Sequence, residues 1–330
     1  MRVKTNQEAT FADSLVDIPS SQLDIVNKII DWNTLSTNLK FIRTDYNAIS
    51  LFKALLIGTW HNLSDESLAD SLKRDLVFIN FCGFSLTGNK PDATTLLRFR
   101  DKLIKQDLFE QLLMTINTML ETNQLKLSNG KHVAMDATLI KSSRRPKKII
   151  TTNKIEQTYQ TDNTEYSDDT DAKWTFKAGQ FTYGYSSVVT TDANGMINKA
   201  TTHPANKSEM TGFNENIKLA NNHNGTRVLY DKGACSKQNT QALKSQGLRD
   251  GIMRKKPKGK KMSRWNKLRN KAISKRRFVV ERTFGTLKRV YGLARARYIG
   301  LEKVANEVNL KAITYNLIRA ANIYKNSITT

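Results

Sequence analysis

Two β-rich runs, YGYSSVVTT and MINKATTHP, meet around Asn194-Gly195. That dipeptide is a strong signal for a tight hairpin turn, because hairpin loops need residues that tolerate positive φ. The middle of the chain is therefore committed to a sheet. Upstream, KHVAMDATLI has the length and apolar content of a buried strand. Downstream, a helix (EMTGFNENIKLANN), a strand (TRVLYDKG), a helix (SKQNTQALKSQ) and a strand (RDGIMRK) alternate. Three strands followed by alternating helix and strand predict an α/β fold built on a mixed sheet.

This is the order of a ribonuclease-H-like sheet of five strands flanked by helices, and it assigns residues 126–330 to one domain. Residues 1–125 read as an all-helical N-terminal domain. Ile49, Phe52, Leu56 and Trp60 recur at a spacing of three to four and share one helical face. Ser64-Asp65-Glu66 supplies a cap and first-turn negative charge for SDESLADSLKRDL, and Pro91-Asp92 does the same for ATTLLRFRDKLI. Short capped helices form either a helix-turn-helix, with Thr94, Thr95, Arg98 and Arg100 reaching DNA, or a bundle packed on the sheet domain. Residues 144–172, RRPKK followed by TDNTEYSDDTDA, read as a mobile loop. The C-terminal third is helical again. A long basic helix, SRWNKLRNKAISKRRFVVERTFGTLKRVYG, ends at Gly292. In the last helix Val304, Val308, Ile313, Leu317 and Tyr324 repeat as a core stripe, with dimerisation as the lesser alternative.

Charge is unevenly spread. Lys and Arg number 53 against 30 Asp and Glu, and residues 251–300 hold 18 of the 53 with a single acid, Glu281. Such a segment favours a polyanion partner, so 254–297 is expected to hold phosphates, with Lys255, Lys256, Lys258, Lys260 and Lys261 in its basic loop. Cys82 and Cys235 form no Cys-x-x-Cys pair, which argues against a disulfide framework or zinc ribbon and suits a reducing cytoplasm. No run approaches the roughly 18–20 apolar residues of a membrane span, and the N-terminus lacks a signal-peptide core, so no membrane is expected. There is no Gly-x-x-x-x-Gly-Lys-Ser/Thr loop for ATP, no His with Arg three residues later as a tyrosine recombinase needs, and no His-x-His of a relay nuclease.

Three acids stand out. Asp136 lies in mid-strand, where an unpaired buried carboxylate costs several kcal/mol, so a neighbouring hydrogen bond or a cation must compensate it. Asp231 ends the apolar run RVLY, where open α/β sheets present ligand-binding side chains, or else it caps the helix from 236 onward. Glu281 is crowded by Arg276, Arg277 and Arg282; a surface ion pair would explain one such contact and contribute only about 0–1 kcal/mol. Together the three supply hard oxygen ligands for Mg²⁺ or Mn²⁺. Two such ions, about 3.5–4 Å apart, stabilise the attacking and leaving oxygens of in-line phosphoryl transfer. Residues 277, 281, 284 and 288 fall along one helical stripe, so Arg277 and Lys288 flank Glu281, either holding phosphate or simply solvated. Gly285 inside this helix suggests close approach of DNA or another backbone.

On these residues the chain resembles the DDE transposases of the insertion-sequence-5 type, within the wider insertion-sequence-4 group. The resemblance runs from about residue 10 to 325 and rests on LFKALLIGTWHNLSDESL, PDATTLLRFRDKL, AMDATLI, YGYSSVVTTDANG with HPAN, VLYDKGACS, and RRFVVERTFGTLKRVYGLARARYIGLEKV. The family's C-terminal signature is Tyr, two residues, Arg, three residues, Glu, six residues, Lys. Arg277, Glu281 and Lys288 match it, and Ser274 stands at the Tyr position. Ala234 and Ser186 also depart from the usual aromatic and Lys. The resemblance places the acidic triad on Asp136, Asp231 and Glu281. It implies a ribonuclease-H-like catalytic domain, terminal inverted repeats and target DNA as substrates, two Mg²⁺ or Mn²⁺ ions, a homodimer or larger synaptic complex, and a place at the bacterial nucleoid. The competing readings are an inactive transposase-derived DNA-binding protein and a metal-dependent nuclease of the same fold. Retention of all three acids opposes the first; the helical N-terminal region and the C-terminal signature oppose the second.

Overall fold

The computed structural model describes residues 21–127, 132–145, 168–177, 179–207, 213, 215–217, 224–259 and 261–329. Its N-terminal part is helical: α1 (Gln22–Ile29), α2 (Trp32–Leu39), α3 (Ala48–Trp60), α4 (Asp65–Arg74), α5 (Leu76–Cys82), α6 (Ala93–Lys105) and α7 (Leu108–Thr122). Both expected caps are present. Ser64 Oγ accepts from the Ser67 amide at 3.1 Å, and Asp92 Oδ1 accepts from the Thr95 amide at 2.6 Å. α3 buries more than one face: Leu51, Phe52, Leu55, Leu56 and Ile57 are all enclosed, because other helices surround it.

The sheet has strands β1 (His132–Lys141), β2 (Lys173–Lys177), β3 (Gln180–Thr191), β4 (Ile197–Pro204), β5 (Arg227–Tyr230) and β6 (Arg249–Ile252). β3 pairs antiparallel with β1, β2 and β4, while β1–β5 and β5–β6 are parallel. The expected five strands stand in the expected order, and β2 adds a sixth. Its KWTFK sits beside the acidic stretch that dominates the local composition. A turn at Gly179 (φ +78°) folds it onto β3, where the Phe176 and Phe181 rings lie 4.7 Å apart. The β3–β4 connection is longer than a two-residue turn. Asp192 Oδ1 accepts from the Asn194 and Met196 amides, Gly195 takes the left-handed conformation (φ +85°), and the register shifts at Thr190–Thr191.

After β5 come α8 (Lys237–Ser245), then β6, α9 (Arg264–Arg289) and α10 (Leu301–Thr329). Gly292, at φ +64°, turns the chain out of α9, and the Leu293 amide reaches back to the Leu287 carbonyl at 3.0 Å. Val304, Val308, Ile313 and Leu317 are buried, so the stripe on α10 is core.

One apolar cluster joins Leu35, Phe52 and Leu112 of the N-terminal helices to Val189 of the sheet and Val308 and Leu317 of α10. Asn316 fastens this junction. Its Nδ2 donates to Asn117 Oδ1 and to the Ile197 carbonyl, and its Oδ1 accepts from the Ile197 amide, all at 2.8 Å. The core therefore crosses residue 125. A second cluster covers the opposite face of the sheet with Val133, Met135, Val228, Tyr230, Leu243 and Ile252.

Of the stretch read as a loop, 146–167 lies outside the described residues, as do most of EMTGFNENIKLANN and Lys260. Its end is not loose. Asp169 is fully buried and accepts from Ser142 Oγ, Tyr185 OH and the Gly300 amide, tying the chain to β1, β3 and the start of α10. Acidic composition hid that role, since a buried carboxylate is legible only once its donors are in place.

Candidate active site

Parallel pairing of β1 with β5 sets Ala134 opposite Leu229. Two residues further along the chain stand Asp136, within β1, and Asp231, just past the end of β5, so sheet register brings together acids 95 positions apart in the chain. Asp231 Oδ1 accepts from the Gly233 amide at 2.7 Å and caps the short turn Lys232–Ala234. It does not cap the following helix: Ser236 does, accepting from the Asn239 amide at 3.0 Å.

α9 packs across β1, β3 and β5 and contributes Glu281 from its exposed side. The helix also drives Arg277 inward. Its Nη2 lies 3.1 Å from Asp136 Oδ2, and its buried Nε has no hydrogen-bond partner among the described residues. Burial pushes the Asp136 carboxyl above its ordinary value. Arg277 and the Ala137 amide oppose that rise, and the like charges of Asp231 and Glu281 add to it. The three acids thus share one electrostatic field. Lys288 belongs to the same neighbourhood: burial and Lys177 lower its pKa, and Asp136 opposes them.

Among the described residues, no three His, Cys, Asp or Glu side chains stand close enough together to hold one ion. The donor set nevertheless suits a divalent cation in kind. The acids offer only hard oxygens, and a positive group already sits against Asp136 in the form of Arg277.

The lysines of the basic loop are free in solvent: Lys255, Lys256, Lys258 and Lys261 are exposed. Several arginines of the segment are instead held by other parts of the protein. Arg254 and Arg269 both bind Asp250, and Arg269 Nη1 donates to the Ile252 carbonyl at 2.5 Å, fixing α9 to β6. Arg295 donates to the Ser142 carbonyl, and Arg297 to the Leu63 carbonyl and Asn62. The forked guanidinium holds backbone oxygens in fixed geometry, whereas an ammonium is more strongly hydrated. Arg277, expected at phosphate, is likewise occupied by Asp136. Gly285 meets no backbone: an added Cβ would touch only the Arg289 guanidinium, at 3.3 Å.

In the helical region, Thr94 and Arg98 are exposed and Thr95 is half-buried. Arg100 is not available to DNA. It is buried in a two-pronged ion pair with Asp65, at 2.8 and 2.7 Å, and lies over the Tyr298 ring. Nothing in the run ATTLLRFRDKLI distinguishes Arg98 from Arg100; the facing Asp65 does. The uses of Arg269, Arg295 and Arg297 within the protein also went unread, since their partners are mostly backbone oxygens of other segments.

Residues 128–317 match a family of transposase DDE domains, and residues 11–102 match a second transposase-domain family. The transposase for insertion sequence element IS1106 of Neisseria meningitidis serogroup B is 37% identical over 227 residues, 68% of this chain and 77% of that relative. No solved structure matches the chain. Among the described residues, no helix is long and apolar enough to cross a membrane.

Proposed function

The chain belongs to the DDE transposases, enzymes that bind DNA, cleave it and transfer its strands with a divalent metal, and from that premise we propose that Asp136, Asp231 and Glu281 are its acidic triad. The observation that supports the assignment is the parallel register that sets Asp136 of β1 beside Asp231 at the end of β5, with α9 packed across both strands and the charges of Asp231 and Glu281 both acting on the half-buried Asp136 carboxyl. Two Mg²⁺ or Mn²⁺ ions bound there would stabilise the attacking and leaving oxygens of the phosphodiester. Asp136 and Asp231, fixed by strand register and by the Gly233 amide, are the rigid members. Glu281, on the exposed side of α9, is the adjustable one. Arg277 holds the Asp136 carboxylate in place, and Lys288 supplies positive charge for the scissile strand.

DNA engagement follows the same division. Exposed Lys255, Lys256, Lys258 and Lys261 would track the phosphate backbone, while Thr94 and Arg98 on α6 face the element's terminal repeats. The helical part, 1–125, serves recognition and packing, and 126–330 serves chemistry. Two copies paired on two element ends, at the bacterial nucleoid, complete the reading. Its test is cleavage of end-containing duplex with Mg²⁺ by Asp136→Asn, Asp231→Asn and Glu281→Gln. Each should lose several orders of magnitude in rate and keep its DNA affinity; undiminished cleavage by Asp136→Asn overturns the triad.

A further inference from the structure

Between α9 and α10 opens a cavity of about 330 Å³ lined by Arg282, Tyr291, Tyr315, Ile318, Arg319 and Asn322, among others, none of them acidic. We propose that this cavity is a phosphodiester-binding site, where Arg282 and Arg319 clamp one backbone phosphate of the DNA. Neither guanidinium makes a hydrogen bond or ion pair among the described residues, and Arg319 Nε is shielded from solvent with no partner. A guanidinium donor removed from water without an acceptor costs free energy, and an anion entering the cavity recovers it. Arg282 and Arg319 approach from two helices, which suits the oxygens of a tetrahedral anion better than a single surface cation does. The Tyr291 and Tyr315 rings, packed edge to face at 6.4 Å, form an apolar wall with Ile318, and Asn322 adds an amide. A sugar attached to the phosphate fits that mixed lining better than a bare ion.

DNA is the favoured source of the phosphate because Arg282 directly follows Glu281 on α9, one step around the helix. At about 100° per residue, Glu281 and Lys288 share one face of α9 and Arg282 stands on the adjoining flank, beside a strand held at that face. The contact deepens the DNA binding established by family membership, and its position along the strand rests on the assignment of Glu281. Measuring affinity without metal keeps the two separable, since the acids are read by cleavage and this cavity by binding.

The experiment uses the full chain and a labelled duplex from one end of its element, in EDTA, over a series of salt concentrations. Arg282→Gln, Arg319→Gln and the double variant should each flatten the slope of log affinity against log salt by about 0.9, the value for one phosphate. The double variant should lose no more slope than either single one, because both side chains serve the same phosphate. In duplexes carrying one neutral methylphosphonate, a single position should weaken the wild-type protein and leave Arg319→Gln unaffected. Arg319→Lys should retain part of the slope, and unchanged melting of the Gln variants separates lost contact from lost fold. An unaltered slope in the double variant overturns the proposal. So does Arg319-dependent binding of dAMP or inorganic phosphate, by titration calorimetry, in a protein whose DNA slope ignores the substitution, since the source would then be a free nucleotide or ion.

Discussion

Arg277 Nη2 stands 3.1 Å from Asp136 Oδ2, so the residue four positions before Glu281 is the counter-ion of a strand carboxylate rather than a surface cation. Removing one partner of a largely buried pair leaves the other charge uncompensated. Arg277→Ala should therefore lose about 3 kcal/mol of unfolding free energy at neutral pH, read by urea denaturation. The pair Asp136→Asn with Arg277→Ala should lose less than the sum of the single changes, because both remove the same interaction. Strict additivity would show that the contact is energetically silent.

Divalent metal should act on stability through the same acids. Millimolar Mg²⁺ or Mn²⁺ should bind the folded chain and raise its Tm, by mass action on the native state. The rise should vanish in Asp231→Asn, whose side chain keeps its shape but not its charge. Differential scanning fluorimetry checks this without DNA or cleavage. An equal rise in Asp231→Asn would place the ions elsewhere.

Lys53 gives a pH dependence far from the acids. Its Nζ lies 4.4 Å from the Trp32 ring centroid and 2.9 Å from Asn27 Oδ1, and burial lowers its pKa to about 8 from 10.5. Below pH 8 both folded and unfolded chains carry the proton, and the burial penalty is present in full. Between pH 8 and 10.5 the folded chain releases it first, the unfolded chain binds more protons, and stability rises with pH. The wild type should gain about 2 kcal/mol over Lys53→Met across that window. Urea denaturation of both proteins at pH 7.5, 9 and 10 measures the difference, and parallel curves would refute it.

α10 should be needed by the helices that precede the sheet. Val304, Val308, Ile313 and Leu317 fill the cluster that also holds Leu35, Phe52 and Leu112. A fragment of residues 1–125 loses that packing and exposes the apolar surface. It should keep far-ultraviolet helical signal, lose near-ultraviolet signal and bind a hydrophobic dye, as chains without fixed packing do. A cooperative thermal transition in the isolated fragment would show that the N-terminal helices hold a core of their own.

Local chemistry was legible in the sequence because it acts over a few residues. Ser64 and Asp92 cap the helices assigned to them, Gly292 ends α9, and the strands KHVAMDATLI, TRVLYDKG and RDGIMRK occupy their expected places. The mixed sheet followed from strand order, and the matching family of transposase DDE domains agrees with the motifs that suggested it. Asp136, Asp231 and Glu281 were singled out as chemistry-bearing residue types at informative positions, not as a measured constellation.

Tertiary structure decided what each charged side chain faces. Lysine and arginine look alike in a count of basic residues, yet Lys255 and Lys256 remain in solvent while Arg100, Arg269 and Arg277 meet acids carried by other segments. Asp169 reads as part of an acidic loop and becomes a buried acceptor once Ser142, Tyr185 and Gly300 surround it. The boundary near residue 125 marks a change in local periodicity, while the core crosses it through α10 and Asn316. Secondary structure and caps depend on neighbours within about four positions along the chain. The partners of Arg100 and Arg277, by contrast, are set by packing between segments 35 and 141 residues apart, in Asp65–Arg100 and Asp136–Arg277, and no local window contains both halves of either pair.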